Sequence, residues 1–321
     1  MTKQCFLVLA IIISLNQCSI HFDVLGKDEI EEVVLVQSKA KEKILIIDVS
    51  GIIGMTFKPS LLNRESDIVS RVYYRLQKAS EDKRIKGIIL RLDTPGGEVT
   101  ASDILYNEVR NFRRRTGLPV VSLMMGVAAS GGYYIAAASD HIIAHPSSLT
   151  GSIGVISLFP NMAELFAKIG IEVNVIKSGK MKDSGSAFRG MTDDDKAVFQ
   201  VVVNELYQKF LDVVVQGRGG SLSLEELEPI ADGRIYTAQQ ALELKLIDEI
   251  GYFDRALAKV KSLANITNAK VITFTHYPKK KTNIYAKSLD NATLIETKDF
   301  KELFRSLKSG FYYLWLPQFA N

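Results

Sequence analysis

Short runs of aliphatic and β-branched residues recur along the chain, and each is followed by a segment with apolar residues at helical spacing. Residues 43–50 (KILIIDVS), 86–93 (KGIILRLD) and 119–125 (PVVSLMM) are nearly unbroken apolar runs. A strand apolar at almost every position is covered on both faces, so each run predicts a buried strand. Between them, residues 65–80 place Ile68, Val69, Val72, Leu76 and Ala79 on one helical face. Residues 100–113, opening at Thr100 as a cap, do the same with Ile104, Leu105, Val109 and Phe112. A longer helix is predicted over 193–216. Thr192 and Asp195 form its capping pair, and Val198, Val202, Leu206, Phe210 and Val213 form its stripe; Gly217, Gly219 and Gly220 end it. A short helix capped by Thr237 follows within 237–250. Strands alternating with helices predict an α/β protein with a largely parallel sheet.

From about residue 263 the periodicity weakens and charge rises, so 263–321 reads as a basic tail. Within it, residues 298–311 set Phe300, Leu303, Phe304, Leu307 and Phe311 on one face and Lys301, Arg305 and Lys308 elsewhere, ahead of Tyr312, Tyr313 and Trp315. That pattern suits an amphipathic helix lying on a membrane surface, or one packing on the body or a neighbouring protomer.

Composition narrows the field. The 321 residues are 47% hydrophobic and 24% charged, the balance of an ordinary globular protein. The net charge of +4 is local, because residues 276–309 carry eight bases against four acids. No broad nucleic-acid surface is indicated. The two cysteines, Cys5 and Cys18, lie in the first 18 residues, so the body has no disulfide, CxxC zinc site or thiol nucleophile. Four histidines (His21, His141, His145, His276) leave few members for a His-based triad. Lys3 followed by the largely apolar run Phe6–Leu15 reads as an export leader or short membrane anchor over residues 1–20, since a run of ten residues falls short of the roughly 20 needed to span a bilayer. Cys18 after Gln17 is a lipidation candidate lacking the usual small preceding residue. The body is therefore expected to work outside the cytoplasm, at a membrane.

Three glycine-bearing turns carry the chemistry. Asp93-Thr94-Pro95-Gly96-Gly97 follows a strand and precedes a helix, where side-chain-free amides can face an oxyanion; by itself it could be a mere turn. Ala128-Ala129-Ser130-Gly131-Gly132 puts one serine among small residues between a strand and a helix. Such a serine is either a nucleophile open to a close-approaching substrate or an N-cap. Lys177-Ser178-Gly179-Lys180-Met181-Lys182-Asp183 offers lysines where no histidine is near. A serine hydroxyl needs a base, and a lysine can serve when it is uncharged. Spacing does not choose among Lys177, Lys180 and Lys182.

The set DTPGG (93–97), AASGGYYIA (128–136), TGSIGV (150–155), SGKMKD (178–183) and ADGRIYTAQQALELKLIDEIG (231–251) closely resembles the signal peptide peptidase A (protease IV) family of Ser–Lys peptidases, in its short single-repeat form. The resemblance covers roughly residues 44–262, the expected peptidase domain. It implies an α/β fold related to caseinolytic protease and crotonase, a spiral of ββα units. It implies Ser130 as nucleophile, Lys182 as general base and Ser152 as the residue orienting the lysine. It also implies an oxyanion hole from the backbone amides of Gly97 or Gly96, with Gly131 or Ser130 nearby. Substrates would be signal-peptide remnants and other hydrophobic peptides, cut through an acyl-enzyme. Members form homo-oligomers in which one site can draw its serine and lysine from adjacent protomers. The expected place is a membrane, with the catalytic domain extracytoplasmic, facing the periplasm in a bacterium. No metal, cofactor or nucleotide is called for, and the chain has no G-x-x-x-x-G-K-[ST] loop. Two rivals share the fold: a crotonase-like acyl-CoA enzyme, which relies on carboxylates, and a non-catalytic membrane scaffold.

Overall fold

The computed structural model describes residues 30–54, 67–275, 283–285 and 309–315. The leader reading over 1–20, with Cys5 and Cys18, and residues 298–308 of the amphipathic reading lie outside these described residues. In chain order the strands and helices are β1 (Glu31–Val36), β2 (Lys43–Ser50), α1 (Ile68–Glu81), β3 (Ile85–Thr94), β4 (Gly96–Glu98), α2 (Val99–Thr116), β5 (Val120–Ala129) and α3 (Gly131–Ala136). They continue with β6 (His141–Ala144), β7 (Leu149–Gly151), β8 (Ile156–Leu158), α4 (Ala163–Lys168), α5 (Asp193–Gly217) and α6 (Leu224–Leu227). The last are β9 (Ile235–Thr237), α7 (Ala238–Glu243), β10 (Glu249–Ile250), α8 (Phe253–Leu263), β11 (Lys270–Thr275) and β12 (Gly310–Leu314).

The main sheet runs β1-β11-β2-β3-β5-β6-β10, with β7 beside the far end of β5 and β9 beside β7. Its centre is parallel: β11 pairs with β2, β2 with β3, β3 with β5 and β5 with β6 in that sense. The three apolar runs are its middle strands, and they are covered on both faces. Leu45, Ile47, Ile88 and Leu90 face one core layer with α1, α2 and α3, while Ile44, Ile46, Ile89 and Val121 face a second layer closed by Phe253, Ala256 and Val260 of α8. Period-2 alternation thus places apolar residues in two layers at once, which explains the unbroken runs.

The helices follow their stripes with shifted ends. Asp67 caps α1, accepting from the Ser70 amide at 2.9 Å. Thr100 lies inside α2, whose N-cap Glu98 makes no side-chain cap bond; the preceding β4 turn sets that start. Thr192 and Thr237 do cap α5 and α7, each in a capping box. The segment 237–250 is helical just to Glu243, after which β10 returns to the sheet beside β6.

Two strands arise from the region that reads as a tail. β11 inserts between β1 and β2, with Val271 and Ile272 fully buried. β12 takes Gly310 and Phe311, the last residues of the helical pattern, together with Tyr312, Tyr313 and Leu314 that follow it. Phe311 is in this strand, not on a helix, because the aromatic run FYYL suits a pleated surface and β4 and β8 offer open edges on either side.

The second layer ends in a buried ion pair. Asp48 and Arg91 face each other in register on β2 and β3, 2.6 Å apart, with side chains 5% and 8% exposed. Arg91 also donates to the Ile284 carbonyl. Removing the carboxylate takes the opposite charge away from a buried guanidinium. We expect Asp48→Ala to lower unfolding free energy by about 3–5 kcal/mol in urea titration; a loss under about 1 kcal/mol would contradict this packing.

Candidate active site

Ser130 sits at the joint between β5 and α3. Its backbone is at φ 54°, ψ −115°, a region that L-residues rarely enter. The joint is forced from several sides. The Ser130 amide donates to the Gly151 carbonyl at 2.7 Å, tying the joint to β7. Tyr133 and Tyr134 are buried at the next turn, their hydroxyls donating to the Leu246 carbonyl and to Asp103 at 2.8 and 2.7 Å. A Cβ at Gly131 would lie 2.5 Å from Ser102 Oγ, and one at Gly132 would lie 2.8 Å from Thr94 Cγ2. Ser130 occupies the N-cap position of α3, as that alternative expected, but its side chain makes no cap bond. The residue is 1% exposed.

The Thr94–Gly97 turn packs directly against this joint. Gly96 has φ +96°, and its amide donates to Thr94 Oγ1 at 3.0 Å. A Cβ at Gly96 would lie 2.7 Å from the Gly131 amide nitrogen, so the two glycine turns are in contact. Gly97 abuts the Ile53 backbone, where a Cβ would be 1.9 Å from the Ile53 carbonyl oxygen. Ile53 itself bonds to both sides of the turn, donating to the Gly96 carbonyl at 2.9 Å and accepting from the Glu98 amide at 2.8 Å. The Gly51–Gly54 loop was thus missed by sequence reasoning, although its two glycines after a buried strand were a usable signal.

Ser152 follows β7 and also has positive φ, 50°. Its amide donates to the Arg234 carbonyl at 2.7 Å, and β9 backs β7 in antiparallel register. The ADGRIYT motif therefore acts at the site by holding the Ser152 strand exit. Because Ala129 pairs with Gly151, the two strained serines leave adjacent strands side by side.

Lys182 lies apart. It is exposed, in a run of turns before α5, and its amide donates to the Gly179 carbonyl at 3.1 Å. Among the described residues no hydrogen bond joins it to Ser130 or Ser152. The other two lysines of the motif are paired: Lys177 with Asp183 at 2.7 Å and Lys180 with Asp194 at 2.5 Å. The structure thus gathers Ser130, Ser152, Gly96, Gly97 and Gly131 in one copy of the chain, and among the described residues no hydrogen bond ties the exposed Lys182 to them.

An extended strand lies across this cluster. β12 runs antiparallel to β4, with Tyr312 opposite Glu98, Tyr313 opposite Gly97 and Leu314 opposite Gly96, and β8 flanks its other edge. Trp315 donates to the Pro95 carbonyl at 2.9 Å. The Tyr313 carbonyl oxygen is 2.0 Å from where a Gly96 Cβ would be and 3.1 Å from a Gly131 Cβ. The Tyr313 ring is fully buried, stacked on Tyr134 at 5.0 Å and tilted on Phe210 at 4.7 Å, with its hydroxyl donating to the Leu206 carbonyl at 2.8 Å. Among the described residues there is no cluster of three or more His, Cys, Asp or Glu side chains able to hold a metal ion, and no helix long and apolar enough to cross a membrane.

Comparison with known proteins fits this geometry. The family model described as peptidase family S49 matches residues 112–267, and the Clp protease model matches residues 61–150. The first range includes Ser130, Ser152 and Lys182; the second includes Gly96, Gly97 and Ser130. A candidate signal peptide peptidase SppA of Enterococcus faecium is 35% identical over 249 residues, covering 78% of this chain and 72% of that one. The chloroplastic serine protease SPPA of Arabidopsis thaliana is 32% identical over 245 residues, 76% of this chain and 36% of its own. Protease 4 of Haemophilus influenzae is 33% identical over 223 residues, 70% of this chain and 35% of its own, so this chain spans about a third of each of those two relatives. The mostly parallel sheet and the Clp protease match make the fold that of the caseinolytic-protease and crotonase type. The chain belongs to peptidase family S49, the signal peptide peptidase A family of serine peptidases.

Proposed function

We propose that this protein is a membrane-associated endopeptidase that degrades signal-peptide remnants and other hydrophobic peptides by a Ser130–Lys182 dyad. The observation that carries the reading is β12. An extended peptide segment already lies antiparallel on the glycine turn, with one carbonyl directed at Gly96 and Gly131 and its side chain seated in an aromatic pocket. A substrate strand would bind the same way, by main-chain pairing with side-chain pockets for specificity.

In this mechanism uncharged Lys182 takes the Ser130 hydroxyl proton as Oγ attacks the peptide carbonyl. The amides of Gly97 and Gly131 hold the resulting oxyanion; the Gly96 amide is engaged by Thr94 Oγ1. Protonated Lys182 then gives its proton to the leaving amine, and water cleaves the acyl-enzyme with Lys182 again as base. Ser152 orients the amine.

Because Lys182 is exposed in one copy, the dyad forms between neighbouring copies. The surrounding surface supports this: Ile169, Ile171, Val175 and Ile176 are uncovered apolar side chains, with Ile176 fully exposed, a surface suited to a second copy of the chain. The apolar run Phe6–Leu15, read as a leader or short anchor, supports a catalytic part outside the cytoplasm.

Ser130→Ala and Lys182→Ala should each lower hydrolysis of a synthetic signal peptide by at least about 10³-fold without changing oligomer size. Coexpressing the two variants should restore activity in mixed oligomers. Near-normal turnover by Lys182→Ala would remove the dyad, and failure of mixing to restore activity would put both residues in one copy. A second test concerns β12. A tethered strand competes with substrate at high effective concentration. A chain ending at Ser309 should therefore cleave added peptide with several-fold higher kcat/KM than the full chain, and a free GFYYLW peptide should inhibit it. An unchanged kcat/KM would mean that β12 does not lie in the substrate's path.

A further inference from the structure

Tyr134 lies one helical turn after Ser130, its amide donating to the Ser130 carbonyl at 2.9 Å. Its ring is one wall of an aromatic box. Phe210 of α5 stands edge-on to it at 5.0 Å, and Tyr106 of α2 stands edge-on at 5.4 Å. All three side chains are buried. Tyr313 joins this box to the serine joint. Its carbonyl oxygen lies against the Gly96 and Gly131 turns, while its ring is stacked on Tyr134 at 5.0 Å and tilted on Phe210 at 4.7 Å. On β12, Tyr313 therefore stands where the residue on the amino side of a cut bond would stand.

The floor of the box is polar. The Tyr313 hydroxyl donates to the Leu206 carbonyl on α5 at 2.8 Å. A carbonyl has two lone pairs, so one can still accept when the other serves the helix. The neighbouring carboxylate, Asp103, is already engaged: Oδ1 accepts from the Tyr134 hydroxyl at 2.7 Å and Oδ2 from Lys209 at 2.8 Å. Burial, and then the Asp103 charge, push the Tyr313 hydroxyl above its ordinary value, so it stays a donor across the working range.

We propose that Tyr106, Tyr134, Phe210 and the Leu206 carbonyl form the specificity pocket for the residue preceding the cut bond, and that this pocket selects tyrosine. The pocket rests on the reading above, in which β12 occupies the substrate's path. Phenylalanine would fill the box but bring no donor to its floor. Leucine and alanine would leave aromatic faces uncovered, and such contacts add to the burial of area alone.

The test is kcat/KM of the full chain for synthetic signal peptides that differ at one position, Tyr, Phe, Leu or Ala, with the cut read by mass. β12 competes equally with every peptide, so it cancels from the ratios. Cleavage should follow the varied residue. Tyrosine should exceed phenylalanine by about 2–10-fold, leucine by about tenfold or more and alanine by at least about 100-fold. Phe210→Leu should lower the Tyr-to-Ala ratio by about 3–10-fold. Phe112→Leu, which alters a fully buried aromatic residue of α2 outside the box, should leave that ratio unchanged. The peptide series on the unmodified chain decides the matter even where Phe210→Leu fails to fold. Equal kcat/KM across the series, a preference for alanine, or a ratio that Phe112→Leu moves as far as Phe210→Leu overturns the pocket. If hydrolysis is still lost in Ser130→Ala, those results overturn the pocket alone. Hydrolysis that survives Ser130→Ala overturns the proposed mechanism and the pocket with it.

Discussion

The site depends on one strained backbone position held in place by its neighbours. Ser130 occupies a conformation unfavourable for any residue with a side chain, and such strain of about 1–3 kcal/mol persists where the surroundings over-determine it. Here the Gly151 carbonyl fixes the amide, two buried tyrosines fix the helix that follows, and two glycines leave no room to relax. The result is a hydroxyl at a sharp strand-to-helix joint, close to a second strained serine and beside a turn that presents backbone amides. The α/β hydrolases use a similar elbow.

The rest of the fold supplies rigid supports for that joint. The parallel strands are buried on both faces, so their carboxyl ends are fixed by two core layers. The glycine turn leaves β3, the serine leaves β5 and the second serine leaves β7, three neighbouring strands of one sheet. Ligand sites in such sheets commonly lie outside the strand ends. The lysine, by contrast, stands on a surface segment whose order comes from ion pairs and a helix cap. In the proposed dyad one partner is held by core packing and the other by a segment ordered through ion pairs, a division that suits a site assembled between copies.

Much of this was legible in the residues. The runs at 43–50, 86–93 and 119–125 are central strands because continuous apolar patterning has few other outcomes at that length. The stripes at 68–79 and 198–213 are helices. Ser130, Ser152 and the paired glycines lie together at the ends of neighbouring strands. What periodicity could not reveal was non-local. β11 looks like part of a charged tail because its partner, β2, lies more than two hundred residues earlier. Phe311 closes an apolar stripe that reads as helix over 298–311, and the open edges of β4 and β8 make Gly310–Leu314 a strand. Thr100 looked like a cap because the β4 turn ahead of it has no periodic signature. The choice among three lysines was not legible in spacing at all; two of them are occupied by carboxylates.

The most direct measurement is covalent labelling of the full chain by a serine-reactive acylating or phosphonylating probe, read by peptide mass. The account predicts one modified residue, Ser130, at a rate that collapses in Lys182→Ala while the protein stays folded and assembled. Modification at another residue, or labelling of Ser130 at an unchanged rate without Lys182, would contradict it.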